Sequence, residues 1–305
     1  MAKETVRDLD ADSVTEVVLE QMARTPDPRL REIMEAAVRH LHAFAREVSL
    51  TPAEWLTGIR FLTEVGHACT PVRQEFILLA DVLGLSALVN IMHDRNEAEL
   101  GTQSSLLGPF FREHSPQRAP GESIVSQHEA PEIVVYGRVM DMDGRGVADA
   151  TVAVWQTDEH GLYDLQRDGG KQMDMRGTFR TDAEGHYHFR TVRPLGYSIP
   201  MDGPVGDLMR MTDISHFRPA HIHFIMSAPG YQKIITHLFK RGTEYLENDV
   251  VYGVKQELIT DFKKNPPGVA PNGEKVDTPF WTIEYDFVLA PEGVSAGQPK
   301  EAVAA

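Results

Sequence analysis

The hydrophobic period of this chain changes once along its length, and that change restricts the folds that the chain can adopt. From about residue 27 to residue 92, apolar residues recur every three or four positions, as they do in amphipathic helices. Beyond Glu132 the apolar residues fall into short runs that are separated by turn sequences such as Asp143-Gly144. Strands without helices between them favour an antiparallel sandwich or barrel over a parallel sheet. We therefore predict an α+β protein, in which an N-terminal helical segment precedes an antiparallel β-sandwich domain.

Three helices are predicted in the N-terminal half. The first has one long apolar face, which is formed by Leu30, Ile33, Met34, Ala37, Val38, Leu41, Ala45 and Val48. At the start of the second, Thr51 suits the N-cap, Pro52 suits the first helical position, and Glu54 can close a capping box. Thr70-Pro71 is expected to begin the third helix in the same manner. An apolar face as long as that of the first helix is seldom left exposed, so we expect it to form part of a homodimer interface.

The remaining predicted elements divide the chain into four regions. Seven β-strands are expected at residues 133–139, 147–155, 178–181, 186–192, 221–227, 233–239 and 281–289. Residues 1–100 are predicted to form a helical domain, residues 101–131 a connector, residues 132–290 the β-sandwich domain, and residues 291–305 a flexible tail.

Composition excludes several classes of function. The formal net charge of −15, without any cluster of Lys and Arg, argues against binding to nucleic acid or to anionic membranes. Cys69 is the only cysteine, so neither an intrachain disulfide nor a thiolate metal cluster can form, and its neighbours are typical of a helix interior. No apolar run follows the charged N-terminus, and none of about 18 residues occurs elsewhere. We expect a cytoplasmic protein that acts on a small, uncharged or weakly acidic molecule.

Three His-x-His pairs prompt a search for metal ligands, but two of them do not favour a site. His40 and His42 lie in a predicted helix, where positions i and i+2 point to different sides. His186 and His188 share one face of a predicted strand, but their neighbours are charged and indicate a solvated surface. Neither pair is therefore predicted to bind a metal ion.

The third pair, His221 and His223, also shares a strand face, while the alternating residues on the opposite face are apolar. Two imidazoles that project from a buried sheet are costly unless a partner satisfies them, so a metal ion is a candidate partner. The spacing leaves the ion open: a carboxylate would suggest ferrous iron, a third histidine zinc, and a tyrosinate ferric iron. Further ligands could come from Asp158, Glu159 and Asp164, or from Tyr163 and Tyr197, which are both expected in loops that follow strands.

Four segments, in order along the chain, resemble the intradiol ring-cleavage dioxygenases. They are Leu107-Gly108-Pro109-Phe110-Phe111, Trp155-Gln156-x-Asp158 continuing to Tyr163-Asp164, Pro194-x-Gly196-Tyr197-x-Ile199-Pro200, and Arg218-Pro219-Ala220-His221-Ile222-His223. The resemblance extends from about residue 25 to about residue 290, and four motifs in this order are highly specific. It implies a β-sandwich catalytic domain and an N-terminal helical segment that covers the substrate and builds a homodimer. Some family members hold a lipid between the helices of the dimer.

By position, the resemblance also implies a site that holds one Fe(III) per subunit. Tyr197 and His223 would be the axial ligands, and Tyr163 and His221 the equatorial ligands. Tyr197 would in addition accept a proton of the substrate diol, and Arg218 would stabilise negative charge on the aromatic ring. The substrate pocket would be formed by Leu78, Asp81, Leu107, Gly108, Pro109, Phe110, Ile199, Pro200, Arg218, His237 and Val251.

Two departures within the resemblance bear on the substrate. Catechol 1,2-dioxygenases tend to carry glutamine where this chain has His237 and proline where it has Asp81, so the chain looks more like the hydroxyquinol 1,2-dioxygenases. The expected reaction inserts both atoms of O2 into hydroxyquinol and gives 3-hydroxy-cis,cis-muconate or maleylacetate. Cleavage of catechol or chlorocatechol is the alternative within the family. A ferrous extradiol enzyme and a non-catalytic, transthyretin-like binding module are the alternatives outside it.

Overall fold

The structure is a computed structural model that describes residues 8–71, 73–95, 101–126, 132–167 and 170–293. By its internal contacts the chain divides into two compact units, Met1–Thr63 and Glu64–Ala305. Among the described helices, no single one has both the length and the apolar character needed to cross a membrane. The consecutive segments Glu75–Val82 and Leu85–Met92 meet that test only as a pair, and they are bent by 75°.

The first unit contains helices α1 (Val14–Met22) and α2 (Pro28–Glu47) and most of α3 (Pro52–Ala68). Helix α1 lies before the region in which the sequence pattern predicts helices. Asp27 caps α2, because its carboxylate accepts a hydrogen bond from Leu30 N at 2.7 Å. No residue of α2 is buried, so the predicted apolar face of this helix is open in the single chain.

The start of α3 confirms the predicted capping box. Thr51 N donates to the Glu54 carboxylate at 2.9 Å, and Glu54 N donates to Thr51 Oγ1 at 3.3 Å. The interpretation of Cys69 as a residue of the helix interior is wrong, because α3 ends at Ala68. The Cys69 thiol instead donates a hydrogen bond back to Val65 O at 3.3 Å.

Two short helices, α4 (Glu75–Val82) and α5 (Leu85–Arg95), precede the β-sheets. The predicted start of this helical region at Thr70-Pro71 is wrong. The chain first makes a tight turn, in which Thr70 N donates to Arg73 O at 2.8 Å, and α4 begins only after it.

The described strands form two five-stranded sheets and two small two-stranded sheets. The strands are β1 (Glu132–Asp141), β2 (Thr151–Gln156), β3 (Arg176–Arg180), β4 (His186–Val192), β5 (Tyr197–Ser198), β6 (Phe217–Arg218), β7 (His221–Ser227), β8 (Ile234–Lys240), β9 (Ile259–Thr260), β10 (Lys263–Asn265), β11 (Gly268–Val269), β12 (Lys275–Val276), β13 (Phe280–Glu284) and β14 (Phe287–Leu289). One large sheet has the order β3-β2-β7-β8-β9. The other has the order β10-β13-β1-β14, with β4 also paired to β1.

The two large sheets share one apolar core. Ile222, Phe224 and Met226 of β7 pack in it together with Phe189 of β4 and Phe287 of β14, and all five are fully buried. Each buried side chain of this size contributes about 1.5–3 kcal/mol to folding. The predicted α+β fold with a β-sandwich domain is confirmed.

Strand pairing within the sandwich is mixed rather than wholly antiparallel. Strand β1 is antiparallel to β4 but parallel to β13 and β14. The single strand predicted at residues 281–289 is divided into β13 and β14 where Tyr285 O approaches the backbone of Gly137. A Cβ on Gly137 would collide with this oxygen, and the Asp286 carboxylate accepts the hydrogen bond of Arg138 N at 2.8 Å. The Asp286 side chain thus takes the place of a backbone carbonyl as the partner of Arg138 N, and the hydrogen bonding between β1 and the 281–289 segment is interrupted there.

Several elements of the second unit were not predicted, namely one helix and the short strands β5, β6 and β9 to β12. Helix α6 (Pro204–Thr212) has no counterpart in the sequence reading. Tyr197, which was expected in a loop, lies in β5, because this short strand pairs with β6 and sets Tyr197 opposite Arg218.

Candidate metal centre

Four polar side chains meet inside the second unit. Tyr163 Oη lies 2.9 Å from His223 Nε2 and 3.4 Å from His221 Nε2. The two Nε2 atoms are 3.2 Å apart, and Tyr197 Oη is 3.3 Å from Tyr163 Oη. All four residues are buried, with at most 6% of their surface exposed. The two tyrosines and two histidines singled out in the sequence are therefore neighbours in space, and we call them the four-donor cluster.

Strand β7 places the two histidines side by side, because alternate residues of a strand share a face. The opposite face of the strand packs in the apolar core. His221 Nδ1 lies 2.7 Å from Pro219 O and must donate to it, which leaves the lone pair of Nε2 directed to the cluster. Trp155 is paired with His223 in the β2–β7 register. Its indole stacks on the imidazole with ring centroids 4.5 Å apart.

The Tyr163 side chain is held by the loop that follows β2. The Asp158 carboxylate accepts hydrogen bonds from two backbone N–H groups of this loop, at 2.8 and 2.9 Å. Gly161 has a φ of +79°, and a Cβ there would lie 3.3 Å from Tyr197 Cβ. Glycine therefore lets the two tyrosine segments approach each other. Phe110 stacks on Tyr163 with ring centroids 4.4 Å apart and fixes the phenol ring from one side.

Burial keeps all four donors in their neutral forms. It raises the pKa of Tyr163 well above its ordinary value, and the neighbouring Tyr197 adds to this effect. Burial also raises the pKa of Tyr197. Conversely, burial lowers the pKa of His221 and of His223 well below their ordinary values, with Arg218 adding to both effects. Two neutral imidazoles and two phenols thus face one another without a charge of their own.

The four-donor cluster has the chemistry of a site for a cation that prefers oxygen and nitrogen ligands. A neutral imidazole with a free Nε2 is the form in which histidine binds metals, and a nearby multivalent cation favours ionisation of a phenol. His223 Nδ1 is buried and has no hydrogen-bond partner among the described residues. The contact that orients the His223 ring is the stacked indole of Trp155. The residues present therefore fit a hard metal ion such as iron.

Arg218 lies beside the cluster and is fixed by a carboxylate that was not predicted. Its guanidinium donates to both oxygens of Asp249, at 3.0 and 3.2 Å, and its third nitrogen lies 3.2 Å from His221 Nε2. Burial lowers the pKa of Arg218, but Asp249, Tyr197 and Tyr163 together outweigh this effect, and the pKa lies above its ordinary value. Asp249 also accepts a hydrogen bond from Gly253 N at 3.0 Å. A fixed positive charge therefore adjoins the donors.

A second buried ion pair holds the segment of Tyr163. Asp164 follows Tyr163 directly and accepts hydrogen bonds from two nitrogens of Arg176, one of them at 2.7 Å. Arg112 reaches the same carboxylate at 3.2 Å, and Arg176 also donates to Phe110 O at 3.3 Å. This network ties the Tyr163 loop to the loop that contains Phe110. Neither arginine was predicted, because such partners lie far apart in sequence.

A cavity of about 640 Å³ lies next to the cluster. Five residues of the predicted substrate pocket line it, namely Leu78, Pro109, Phe110, Ile199 and Pro200. The other lining residues are Arg73, Gln74, Glu75, Leu162, Leu165, Gln166, Ser198, Met201 and Asp202. The cavity adjoins the cluster through Phe110, which stacks on Tyr163, and through Leu162 and Ile199, which flank the two tyrosine segments.

Two other predicted pocket residues, Leu107 and Gly108, do not line this cavity but lie next to the cluster. Leu107 packs against the aromatic group that includes Tyr163 and Tyr197. A Cβ on Gly108 would lie 3.3 Å from His223 Cε1. Val251 is buried.

Asp81 and His237 are also buried near the cluster. Burial raises the pKa of Asp81 to about 6, and the charge of Arg218 opposes that rise. The His237 ring lies 4.1 Å from the His223 ring, centroid to centroid.

Of the pair predicted to lie on a solvated face, His186 agrees with the prediction, whereas His188 is half-buried. His186 is exposed, and its backbone N–H and ring both contact the Asp182 carboxylate in the turn before β4. His42 Nδ1 lies 3.0 Å from Thr15 Oγ1, between α2 and α1.

Two family models match the chain, one in each half. Residues 107–291 match the model described as "Dioxygenase", and residues 27–101 match the model described as "Catechol dioxygenase N terminus". The 6-chlorohydroxyquinol 1,2-dioxygenase of Cupriavidus pinatubonensis is 43% identical over 94% of this chain and 99% of its own length. The hydroxyquinol 1,2-dioxygenase of Nocardioides simplex is 42% identical over 95% of this chain and 98% of its own length.

A solved structure is similar along nearly the same extent. The hydroxyquinol 1,2-dioxygenase of Pseudomonas putida superposes with a TM-score of 0.83 and 39% identity, and the match covers 92% of this chain and 99% of that one. The sequence matches, the shared fold and the four-donor cluster agree with one another. The chain belongs to the family of intradiol ring-cleavage dioxygenases.

Proposed function

We propose that this chain is an Fe(III)-dependent hydroxyquinol 1,2-dioxygenase. It opens hydroxyquinol between two adjacent hydroxyl-bearing carbons, inserts both atoms of O2, and gives 3-hydroxy-cis,cis-muconate or its tautomer maleylacetate. The observation that carries the proposal is the convergence of two phenols and two imidazoles within 3.4 Å beside a largely apolar cavity. The names of the two relatives that are 42–43% identical support the choice of substrate.

Tyr163, Tyr197, His221 and His223 are the residues that would hold one iron ion per subunit. Non-haem iron is the metal of this family, and two phenolates balance most of the charge of the ferric state. Bound by these residues, Fe(III) would supply Lewis acidity toward the deprotonated diol and would make the ring reactive toward O2. The pairs of tyrosines and histidines supply this ion with hard oxygen and nitrogen ligands and no thiolate.

Tyr197 is the proposed proton acceptor for one hydroxyl of the diol. As a phenolate it is a strong base, and β5 places it opposite Arg218, whose charge favours the phenolate form. A buried base with a fixed position meets the geometric requirement of general base catalysis. Tyr163 is instead proposed to remain a ligand throughout, because Phe110 and the Asp164–Arg176 pair fix its segment.

Arg218 is the proposed electrostatic partner of the ring during cleavage. Its guanidinium is buried, permanently charged and held at two points by Asp249, so it need not reorganise as negative charge develops on the substrate. Without Asp249 the same charge would be buried and unpaired, which is costly. Asp249 therefore acts as a positioning residue for Arg218.

Asp81 is the proposed acceptor for the third hydroxyl of hydroxyquinol. Most predicted pocket residues, among them Leu78, Pro109 and Ile199, have no side-chain acceptor, whereas Asp81 offers a buried carboxylate. A charge-assisted hydrogen bond of this kind favours the hydroxylated ring by about 1.5–3 kcal/mol. With catechol the same carboxylate would remain desolvated and without that bond. The preference for hydroxyquinol therefore has two sources, a bond gained with hydroxyquinol and a desolvation cost left uncompensated with catechol.

Mass spectrometry of the products formed from hydroxyquinol, catechol and chlorocatechols under 18O2 tests the proposal. We expect hydroxyquinol to be turned over fastest, with two labelled oxygen atoms in an acyclic dicarboxylate. In Asp81→Ala, turnover of hydroxyquinol should fall while that of catechol is kept or increased. Faster turnover of a catechol by the wild type would contradict the choice of substrate. Cleavage beside the two hydroxyls would contradict the reaction type.

We further propose that the protein is a homodimer formed through its N-terminal helices. The support is the open apolar face of α2, where Ile33 and Leu41 are 48% and 65% exposed.

A further inference from the structure

Two walls of the cavity beside the four-donor cluster come from distant parts of the chain. Leu78 of α4 belongs to one wall, together with residues 73–75 at the start of this helix. Residues 198–202, which follow Tyr197 directly, form another wall and lead into α6. One wall thus belongs to a helix and the other to the segment between β5 and α6, so side-chain contacts must set the distance between them.

Glu75 joins the two walls through a buried hydrogen bond. Only 1% of its side chain is exposed, and its Oε1 accepts from Val205 N at 3.2 Å. Val205 lies in the first turn of α6, and Gly203, the N-cap residue of that helix, has no side chain to accept from the N–H groups there. A carboxylate from α4 therefore caps α6, where the positive end of the helix dipole also favours a negative charge.

Arg73 adds a second connection on the outer side of the first. Its Nε donates to Glu75 Oε2 at 2.9 Å, and its Nη1 donates to Asp202 Oδ2 at 2.9 Å. The Asp202 side chain is 73% exposed, and an exposed ion pair contributes little to stability. The buried carboxylate of Glu75 is therefore the stronger tie. We call Arg73, Glu75, Asp202 and Val205 the α4–α6 link.

Gly203 lets the α4–α6 link form at this distance. Its backbone is extended, so the conformation alone does not require glycine. A Cβ at this position would lie 2.5 Å from both Glu75 Oε1 and Arg73 Nη2, which is closer than such atoms approach in proteins. Any side chain at position 203 would therefore push the link apart.

We propose that the α4–α6 link fixes the width of the substrate cavity and thereby determines which ring substituents the enzyme accepts. The inference rests on the proposed function, because it requires an aromatic diol in this cavity. Glu75 is then a positioning residue that acts through Leu78 and residues 198–202. A methylene-sized difference between two substrates changes their relative specificity by roughly 10- to 200-fold in a pocket that fits closely, and this discrimination is lost when the walls can separate.

Steady-state kinetics of the iron-loaded protein with hydroxyquinol and 6-chlorohydroxyquinol test this role. The electronic effect of the chlorine is the same in every variant, so a change in the ratio of the two kcat/KM values reports on the cavity. Glu75→Ala should shift this ratio toward the chlorinated ring by roughly threefold or more, through KM rather than kcat. Glu75→Gln should keep most of the wild-type ratio, because its amide oxygen can accept from Val205 N.

Thr181→Ala is the matched control, since it removes a buried hydrogen bond of the same kind, from Ala150 N at 2.8 Å, away from the residues that line the cavity. It should keep the wild-type ratio. Hydrogen exchange provides a readout that needs no substrate, because the first turn of α6 should exchange faster in Glu75→Ala than in the wild type.

Gly203→Ala keeps both charges of the link but pushes its members apart, and it should shift the ratio in the same direction. This variant carries the test if Glu75→Ala does not fold. Wild-type ratios in both variants would overturn the inference, and so would an equal shift in Thr181→Ala. A wild type that opens only catechols would instead contradict the proposed substrate, and the same variants compared on catechol and 4-chlorocatechol would then decide whether the link sets the width of the cavity.

Discussion

At the scale of single residues, the proposed metal site depends on four buried side chains. Burial holds the Tyr163 and Tyr197 phenols and the His221 and His223 imidazoles neutral, and the other three polar atoms lie within 3.4 Å of Tyr163 Oη. Burying these donors without a partner lowers the stability of the folded protein, and binding of a cation offsets that loss. The assignment therefore makes a direct prediction about metal content.

Tyr163→Phe and His221→Ala should each lose iron, because each deletes a ligand and the described structure places no substitute oxygen or nitrogen in the same position. We expect metal affinity to fall by more than about tenfold, since even loss of an indirect partner of a metal ligand costs about that much. Elemental analysis after dialysis measures the effect. His186→Ala should keep its iron. Normal iron content together with normal turnover in His221→Ala would refute the assignment.

Asp81 predicts a dependence of stability on pH. Its pKa is raised from 3.8 to about 6 in the folded protein, so the folded state holds the proton more tightly than the unfolded state does. The contribution of Asp81 to the free energy of unfolding is fully present below pH 4 and is lost as the pH rises through about 6. Asp81→Asn removes this loss, so it should be as stable as the wild type at pH 4 and more stable at pH 8, by on the order of 3 kcal/mol.

Urea unfolding of both proteins across this pH range measures the difference, with Asp277→Asn, at an exposed carboxylate, as the control. A difference between Asp81→Asn and the wild type that does not change with pH would show that Asp81 titrates normally in the folded protein.

At the scale of elements, strand β7 joins the fold to the chemistry. One of its faces supplies Ile222 and Phe224 to the core, and the other presents His221 and His223. The alternation of apolar residues and histidines predicts this strand from the sequence, and the bounds of β7 agree with the predicted strand at residues 221–227. Strands β2 and β8 pair with the two sides of β7, so both histidines lie in an interior strand of the sheet.

Helix α2 carries a prediction about assembly. Ile33→Glu combined with Leu41→Glu places two charges on its open apolar face and should convert a dimer into monomers, because each charge would have to be desolvated in the interface. Sedimentation velocity at micromolar concentration measures the state. Arg39→Glu, on the polar side of the same helix, should leave the dimer intact. A wild-type protein that is a fully active monomer would rule out this interface.

At the scale of the whole molecule, the sequence predicts those features that depend on local pattern. The capping box of Thr51 and Glu54 and the sandwich core agree with expectation, and the four donors are neighbours. Features that depend on residues far apart in the sequence cannot be predicted from local pattern. Asp249 lies 31 residues beyond Arg218, and only the folded chain shows that they pair.

The same reason explains the errors in the predicted elements. The break between β13 and β14 requires the close approach of Tyr285 to Gly137, 148 residues apart in sequence. The delayed start of α4 results from a tight turn at Thr70 and Arg73 that the Thr-Pro signal does not reveal. In each case a contact specific to the folded chain overrides a sound local signal.

The visible absorption spectrum of the purified, iron-loaded protein tests the central claim most directly. If Tyr163 and Tyr197 bind Fe(III) as phenolates, electron transfer from phenolate to metal absorbs visible light and the protein is coloured. Adding hydroxyquinol in the absence of O2 should change this band, and Tyr197→Phe should reduce it while abolishing turnover. A colourless protein that contains its full complement of iron and is fully active would contradict the assignment of the two tyrosines.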